Sequence, residues 1–263
     1  MRLKEKIILI TGSTTGIGRA IAERCVSEGA KILIHGRDEA SGQRVIRDLG
    51  ADNAALHLDD LGDPESAGRL ISAAVSRFGR LDGIVNNAAY VASSDAETTD
   101  LQTLHSVFAV NTFTPFLLIQ AALPYLTESK GCVLNIGSVN AWAGEPNLLA
   151  YSMSKGAMMT MTRNLGDALF RDKGIRVNQI NPGWVLTEKE IKRKREHGLS
   201  DDWYKKLPKM YAPAGRILLP EEIAAAAIFW LSDESGPVTA QVMELEQYPM
   251  IGRNAPKDTS TIH

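Results

Sequence analysis

Tyr151 and Lys155 stand four residues apart in the run YSMSK, and Ser138 lies thirteen residues upstream. If that run is helical, the spacing puts phenol and ammonium on one face, over a single site. A lysine held beside a tyrosine favours the phenolate and lowers the pKa of a group that ordinarily titrates near ~10. A serine hydroxyl close by can hold a carbonyl or alcohol oxygen while the proton moves. These residue types in this arrangement suit the interconversion of an alcohol and a ketone, provided that a hydride carrier binds next to them.

The N-terminal region offers a site for such a carrier. TGSTTGIG sits between an apolar run and a helical pattern, with Gly12, Gly16 and Gly18 in GxxxGxG spacing. Glycines there permit a tight turn and let main-chain N–H groups approach a diphosphate at a helix N-terminus. Thr14, Thr15 and Ile17 complete the candidate loop. After the second apolar run come Gly36 and Arg37, with no carboxylate to bind ribose hydroxyls. A guanidinium at that point suits the extra phosphate of NADP, so NADP is expected, with NAD possible because the loop carries no second basic group. Asp59 is a candidate acceptor from the adenine amino group, with the Asp60 backbone beside it. Asn87 and Ala88, following Asn86, are expected to line the cofactor or tie loops together.

Several short elements must position these residues. Apolar runs near 6–11 and 31–36, AALHLD, LDGIVNNAA, GCVLNIGS, IRVNQINPG and PVTAQVMEL read as seven strands. Helical patterns alternate with most of them, including one long helix expected over about 100–126 and another running from YSMSK to about Arg171. That alternation predicts an α/β, doubly wound Rossmann-type fold with a mostly parallel seven-stranded sheet. Residues 1–263 are expected to form a single domain. The charged stretch 188–215 breaks the rhythm and is expected to be a small helical lid on the substrate side. The tail APKDTSTIH carries no element signal.

From TGSTTGIG through NNAA, Asn111, Ser138, YSMSK and NPG to the PEEIA helix, the chain closely resembles the short-chain dehydrogenase/reductase family in its roughly 250-residue form. The resemblance covers nearly the whole length. It implies that Ser138 positions substrate and Tyr151 is the acid/base. It further implies that Lys155 tunes Tyr151 while binding the nicotinamide ribose, and that Asn111 retains a water of the proton relay. Pro182 and Gly183 would shape the nicotinamide pocket, Val185 would line it and Thr187 would contact the carboxamide, although Thr187 also suits a helix N-cap. Two departures stand out. Ala89 occupies the place of the usual last glycine of NNAG, and VMELEQYPMIG replaces the usual acidic-glycine ending of the last strand.

Asn140, Trp142 and Trp184 follow strand ends, where an open α/β sheet binds ligands, and are candidate substrate contacts beside Ser138 and Tyr151. A small polar ketone, sugar or polyol is the expected substrate class. Between 188 and 209 there are eight Lys/Arg against five Asp/Glu, an excess that an anionic substrate can use. The whole chain carries a formal net charge of -2, which gives nucleic acid no reason to bind. No membrane-spanning stretch is expected, nor a metal site. Cys25 and Cys132 are expected as buried thiols, the cytoplasm as the compartment, and a homo-oligomer (tetramer or dimer) from the resemblance.

Overall fold

Strands that read as unbroken apolar runs have to be covered on both faces, and that requirement organises the molecule. The computed structural model describes residues 1–196, 198–205, 207–209 and 212–247; the tail singled out above lies outside them. Seven strands run in parallel: β1 (Ile7–Ile10), β2 (Lys31–Gly36), β3 (Ala54–Leu58), β4 (Gly83–Asn86), β5 (Cys132–Ile136), β6 (Arg176–Pro182) and β7 (Val242–Leu245). Their spatial order is β3-β2-β1-β4-β5-β6-β7. The chain therefore reverses its direction of winding between β1 and β4, and a crevice opens at the carboxyl ends of those two strands.

Helices cover both faces. On one side α1 (Gly16–Ser27), α2 (Glu39–Leu49) and α9 (Pro220–Leu231) bury Ile21, Cys25, Val45, Ile223 and Ile228 against the sheet. On the other, α3 (Ser66–Phe78), α5 (Thr114–Ser129) and α7 (Leu149–Lys173) enclose Leu70, Ile71, Leu118, Leu126 and Val177. Cys25 and Cys132 are buried free thiols.

The sheet also carries a polar seam. Asn86, Asn135 and Gln179 lie side by side in register on β4, β5 and β6. Asn86 donates to Asn135 at 2.8 Å, Asn135 donates to Thr162 of α7 at 2.8 Å, and Thr162 reaches Gln179 at 2.8 Å. Burying these amides is tolerable because each bonds to the next, although Asn86 Oδ1 is left without a partner among the described residues.

The helix expected over 100–126 is two helices. α4 (Leu101–Phe108) passes through a π turn, Ala109–Phe113, into α5. Pro115 accounts for the break: it has no N–H to offer the C=O of Asn111, its i−4 partner, so the ladder must re-form. The turn buries Asn111, and Thr112 and Thr114 bond inward to Ser154 O and Leu61 O. Contrary to expectation, the combined run Leu101–Ser129 is long and apolar enough to cross a membrane by length and composition. Here it packs on α3 and α7. The last strand is shorter than expected, because Thr239 and Ala240 bond to β6 through single contacts before the ladder starts at Val242.

The charged stretch after β6 forms α8 (Glu188–Glu196) and a 3₁₀ turn, Trp203–Lys205. They close over a small apolar cluster of their own, Trp203, Ala212 and Ile217, with Trp184, Leu186 and Leu207 against it.

Candidate active site

The glycine loop is built for close approach. Gly12 and Gly16 have φ of +62° and +55°, a region that L side chains rarely adopt. A Cβ on Gly18 would overlap the Gly12 carbonyl and the Asn87 amide. Thr15 occupies the N-cap of α1 without a side-chain cap bond, and the first turn holds no acidic residue. Orphan N–H donors at the positive end of a helix, beside glycines with no Cβ, fit a dinucleotide diphosphate.

The neighbouring loops are tied to this one. Asn87 donates to Thr11 O at 2.9 Å and Gly12 O at 3.0 Å, while the Asn87 and Ala88 N–H groups donate to Thr11 Oγ1. Thr187 lies across from Gly16, with its methyl 3.3 Å from where a Cβ would sit, and its hydroxyl accepts from Glu190 N–H at 3.2 Å. Thr187 thus caps α8 and borders the glycine loop at once. Pro182 ends β6, Gly183 follows, and Val185 is buried beside Leu218.

His35 was not singled out from sequence. It is buried at the end of β2, its Nδ1 accepts from Gly12 N–H at 3.1 Å, and its Nε2 bonds to Asp59 O at 3.2 Å. This fixes a neutral imidazole between the glycine loop and the end of β3. Burial depresses its pKa, against opposing help from Asp59. Only its place one residue before Gly36 hinted at a role.

Asp59 carries a structural load in addition to its expected use. Both carboxylate oxygens hold Arg69, at 2.7 and 2.8 Å, and Oδ1 also accepts from Asp60 N–H. The Arg69 guanidinium, first among several donors, holds the Asp59 carboxyl at about 2. This side chain therefore braces its loop, and the Asp60 side chain accepts from Gly62 N–H in the same turn. Arg37 is exposed just beyond β2 and makes no ion pair among the described residues, while Thr14 packs over Gly36.

At the other end of the crevice, α7 presents Tyr151, Ser154 and Lys155 together. Ser138 Oγ accepts the Asn140 N–H at 3.1 Å, which leaves its own proton to donate, and the hydroxyl pairs with Tyr151. The Asn140 side chain bonds Glu145. Lys155 is fully buried; Nζ donates to Ile136 O at 2.7 Å and lies 5.8 Å from the Tyr151 ring centroid. The electrostatics differ from the sequence expectation. Burial pushes the Tyr151 hydroxyl up, opposed by the Ser138 hydrogen bond. Burial alone brings Lys155 down to about 7, so near neutrality the ammonium is only partly charged. Loss of water outweighs the pairing of the two groups.

Asn111 does not reach Lys155 through its side chain. Its amide bridges the Tyr90 backbone, with bonds of 2.8 and 3.0 Å, and donates to Ser154 Oγ at 3.0 Å. Trp142 and Trp184 also turn elsewhere. The Trp142 indole donates to Glu244 and lies under Arg163. Trp184 stacks on Trp203 with centroids 5.0 Å apart and donates to Glu190 at 2.9 Å, so it anchors the charged segment after β6. Among the described residues no cluster of metal ligands occurs.

Residues 12–246 match the family model described as "Enoyl-(Acyl carrier protein) reductase". L-fucose dehydrogenase of Rattus norvegicus is 36% identical over 88% of this chain and 85% of its own length. Glucose 1-dehydrogenase 2 of Bacillus subtilis is 34% identical over 92% of this chain and 93% of its own. The crystal structure of 3-ketoacyl-(acyl-carrier-protein) reductase from Brucella melitensis complexed with NADH superposes with a TM-score of 0.80 at 28% identity, covering 92% of this chain and 97% of that one.

Proposed function

This chain belongs to the short-chain dehydrogenase/reductase family and is an NAD(P)-dependent oxidoreductase of CH–OH or C=O groups, and on that premise we propose that it prefers NADP and acts on a small polar carbonyl or secondary alcohol, a sugar or polyol. The observation that carries this reading is the meeting of Ser138, Tyr151 and Lys155 at the carboxyl end of β5, beside the crevice between β1 and β4.

The cofactor supplies the hydride. Gly12, Thr14, Thr15, Gly16, Ile17 and Gly18 would hold its diphosphate, Arg37 its extra phosphate, and Asn87 and Ala88 its flank. Pro182, Gly183, Val185 and Thr187 would border the nicotinamide. Ser138, whose oxygen is already satisfied by the Asn140 N–H, donates its free proton to the substrate oxygen. Tyr151, kept protonated by burial, gives its proton to that oxygen in the reductive direction and takes it back in oxidation. Lys155 orients the ribose and steadies the tyrosinate as it forms. Asn111 serves the relay through its main-chain carbonyl, which Pro115 deprives of a helical partner, because its side chain is engaged with Tyr90 and Ser154.

Support for a polyol comes from the fucose and glucose dehydrogenases among its relatives and from Asn140 and Glu145 in the loop after Ser138. Support for NADP comes from Arg37 and the missing carboxylate. Exposed apolar side chains on the π turn, α5 and α7 (Phe113, Phe116, Met153) and on α9 and β7 (Phe229, Met243) suit two interfaces of a homo-oligomer. The test is nicotinamide absorbance with NADPH and NADH against ketones and sugar-derived carbonyls, and with both oxidised cofactors against sugars and polyols. Turnover should be greatest with NADP(H) and sugars, and Tyr151→Phe should abolish it while leaving cofactor binding intact. Turnover that survives Tyr151→Phe would refute the assigned proton transfer.

A further inference from the structure

We propose that the end of the last strand, Glu244 to Gln247, is a brace that positions the Ser138 loop against the opposite walls of the cleft, with Glu244 as its principal positioning residue. The inference rests on the reading of Ser138 as the group that holds the substrate oxygen. It absorbs the unusual ending of the last strand, ELEQ, for which the reaction itself has no use.

Glu244 lies opposite Asn181 in the β6–β7 ladder. Its Oε1 accepts from Asn181 Nδ2 at 3.1 Å and from the Trp142 indole N–H. Asn181 Oδ1 in turn accepts the main-chain N–H of Ser138 at 3.1 Å and Gln179 Nε2 at 2.6 Å. One buried amide therefore separates the Glu244 carboxylate from the backbone of Ser138. The contact has no slack: a Cβ on Gly137 would overlap both Asn181 Oδ1 and Gln179 Nε2. Through Trp142 the same carboxylate holds α6 (Asn140–Ala143), whose first N–H fixes Ser138 Oγ. Two independent hydrogen-bonded routes thus run from Glu244 to Ser138.

The next residues do the same for the other walls. The Glu246 carboxylate accepts from Trp184 N–H at 3.2 Å and fills the space where a Gly183 side chain would stand. Gln247 accepts from Ala214 N–H at 2.9 Å and donates to Arg216 O at 2.7 Å, on the segment that returns from the lid. Three side chains within four consecutive residues therefore connect the Ser138 loop, the turn after β6 and the segment returning to α9. Glu244 Oε2 is buried with no hydrogen-bond partner among the described residues, an uncompensated cost that mere packing would not retain.

The experiment measures kcat, KM and NADP affinity for Glu244→Ala, Glu244→Gln and Tyr151→Phe on the best substrate of the screen. Glu244→Ala should lower kcat about tenfold, equivalent to about 1.4 kcal/mol of activation free energy, with cofactor affinity unchanged. Glu244→Gln keeps an acceptor oxygen and should recover most of the rate. Ser138→Ala in the Glu244→Ala background should cost less than Ser138→Ala alone, because the two act as one unit. Unchanged kcat in Glu244→Ala, or additive losses in the double variant, would overturn the brace. If Glu244→Ala does not fold, Glu244→Asp withdraws the carboxylate by one methylene and must still lower kcat; full activity there overturns the proposal. Activity that is lost in Tyr151→Phe but indifferent at Glu244 refutes the brace alone, whereas activity indifferent to Tyr151→Phe refutes the reading beneath it.

Discussion

Lys155→Met should stabilise the fold while destroying turnover, and the size of the gain should depend on pH. The ammonium is buried, with one strong acceptor, Ile136 O, and a distant sulfur at 3.9 Å. Burial brings its pKa from 10.5 to about 7. At ~1.4 kcal/mol per unit, that shift is a burden of about 5 kcal/mol on the folded state wherever the unfolded lysine is charged and the folded one is forced to be. The sign follows from proton counting. Between about 7 and 10.5 the unfolded chain binds the extra proton, so wild-type stability rises with pH there, and the burden is full only below about 7. Methionine is unbranched and apolar like the lysine stem but strands the Ile136 carbonyl, which returns ~1–3 kcal/mol. A net gain of ~2–4 kcal/mol is expected at pH 6, several degrees in Tm for a chain of this size, shrinking toward pH 10. Thermal unfolding of both proteins from pH 6 to 10 is the assay. A variant less stable than wild type at pH 6, or a gain that ignores pH, would refute the account of Lys155 as a desolvated cation.

Other perturbations probe the cofactor end and the lid. Arg37→Asp should replace the exposed guanidinium with a ribose-binding carboxylate and reverse the NADP/NAD preference by about tenfold or more; an unchanged ratio of kcat/KM values removes Arg37 from specificity. His35 has a depressed folded-state pKa, so its contribution is complete above about 6.5 and is lost as pH falls through the window beneath it. NADP affinity should drop with Tm as pH falls below about 6.5 and the Gly12 bond fails; His35→Gln should bind more weakly at neutral pH and lack that acid limb, and parallel pH curves for the two proteins would contradict it. Trp203→Ala removes a buried indole stacked on Trp184, roughly 3–5 kcal/mol of packing. Because that cluster stands apart from the main core, substrate KM should rise with a small change in Tm; a full-sized Tm loss would make the lid part of the main cooperative unit.

The strands, their order of appearance and the helix that carries Tyr151 and Lys155 were legible because each rests on a local signal: an apolar run, a glycine at positive φ, an i,i+4 pair. The π turn was missed because the apolar pattern continues through it, and its one cue, a proline four residues after Asn111, reads equally as the first turn of a new helix. Trp184 and Trp142 were assigned to substrate because a strand-end aromatic faces ligand as readily as it stacks on a lid. Which of these happens depends on Trp203 and Glu244, 19 and 102 residues away. The bracing role of Asp59 was hidden for the same reason: Arg69, on the next helix, bonds both its oxygens. Long-range partners, not local chemistry, decide such residues.

The seam of amides across β4, β5 and β6 bears on how the chain avoids folding wrongly. These strands are buried on both faces, so a slide of one residue would exchange one apolar side chain for another at little cost, and hydrophobicity alone would leave the pairing ambiguous. Asn86, Asn135 and Gln179 remove that ambiguity, since any offset strands several buried amides at once. The polar groups act as a combination lock: only one alignment of the three ribbons links Asn86, Asn135, Thr162 and Gln179 in one chain of bonds. That alignment is also the one that brings Asn181 under Ser138.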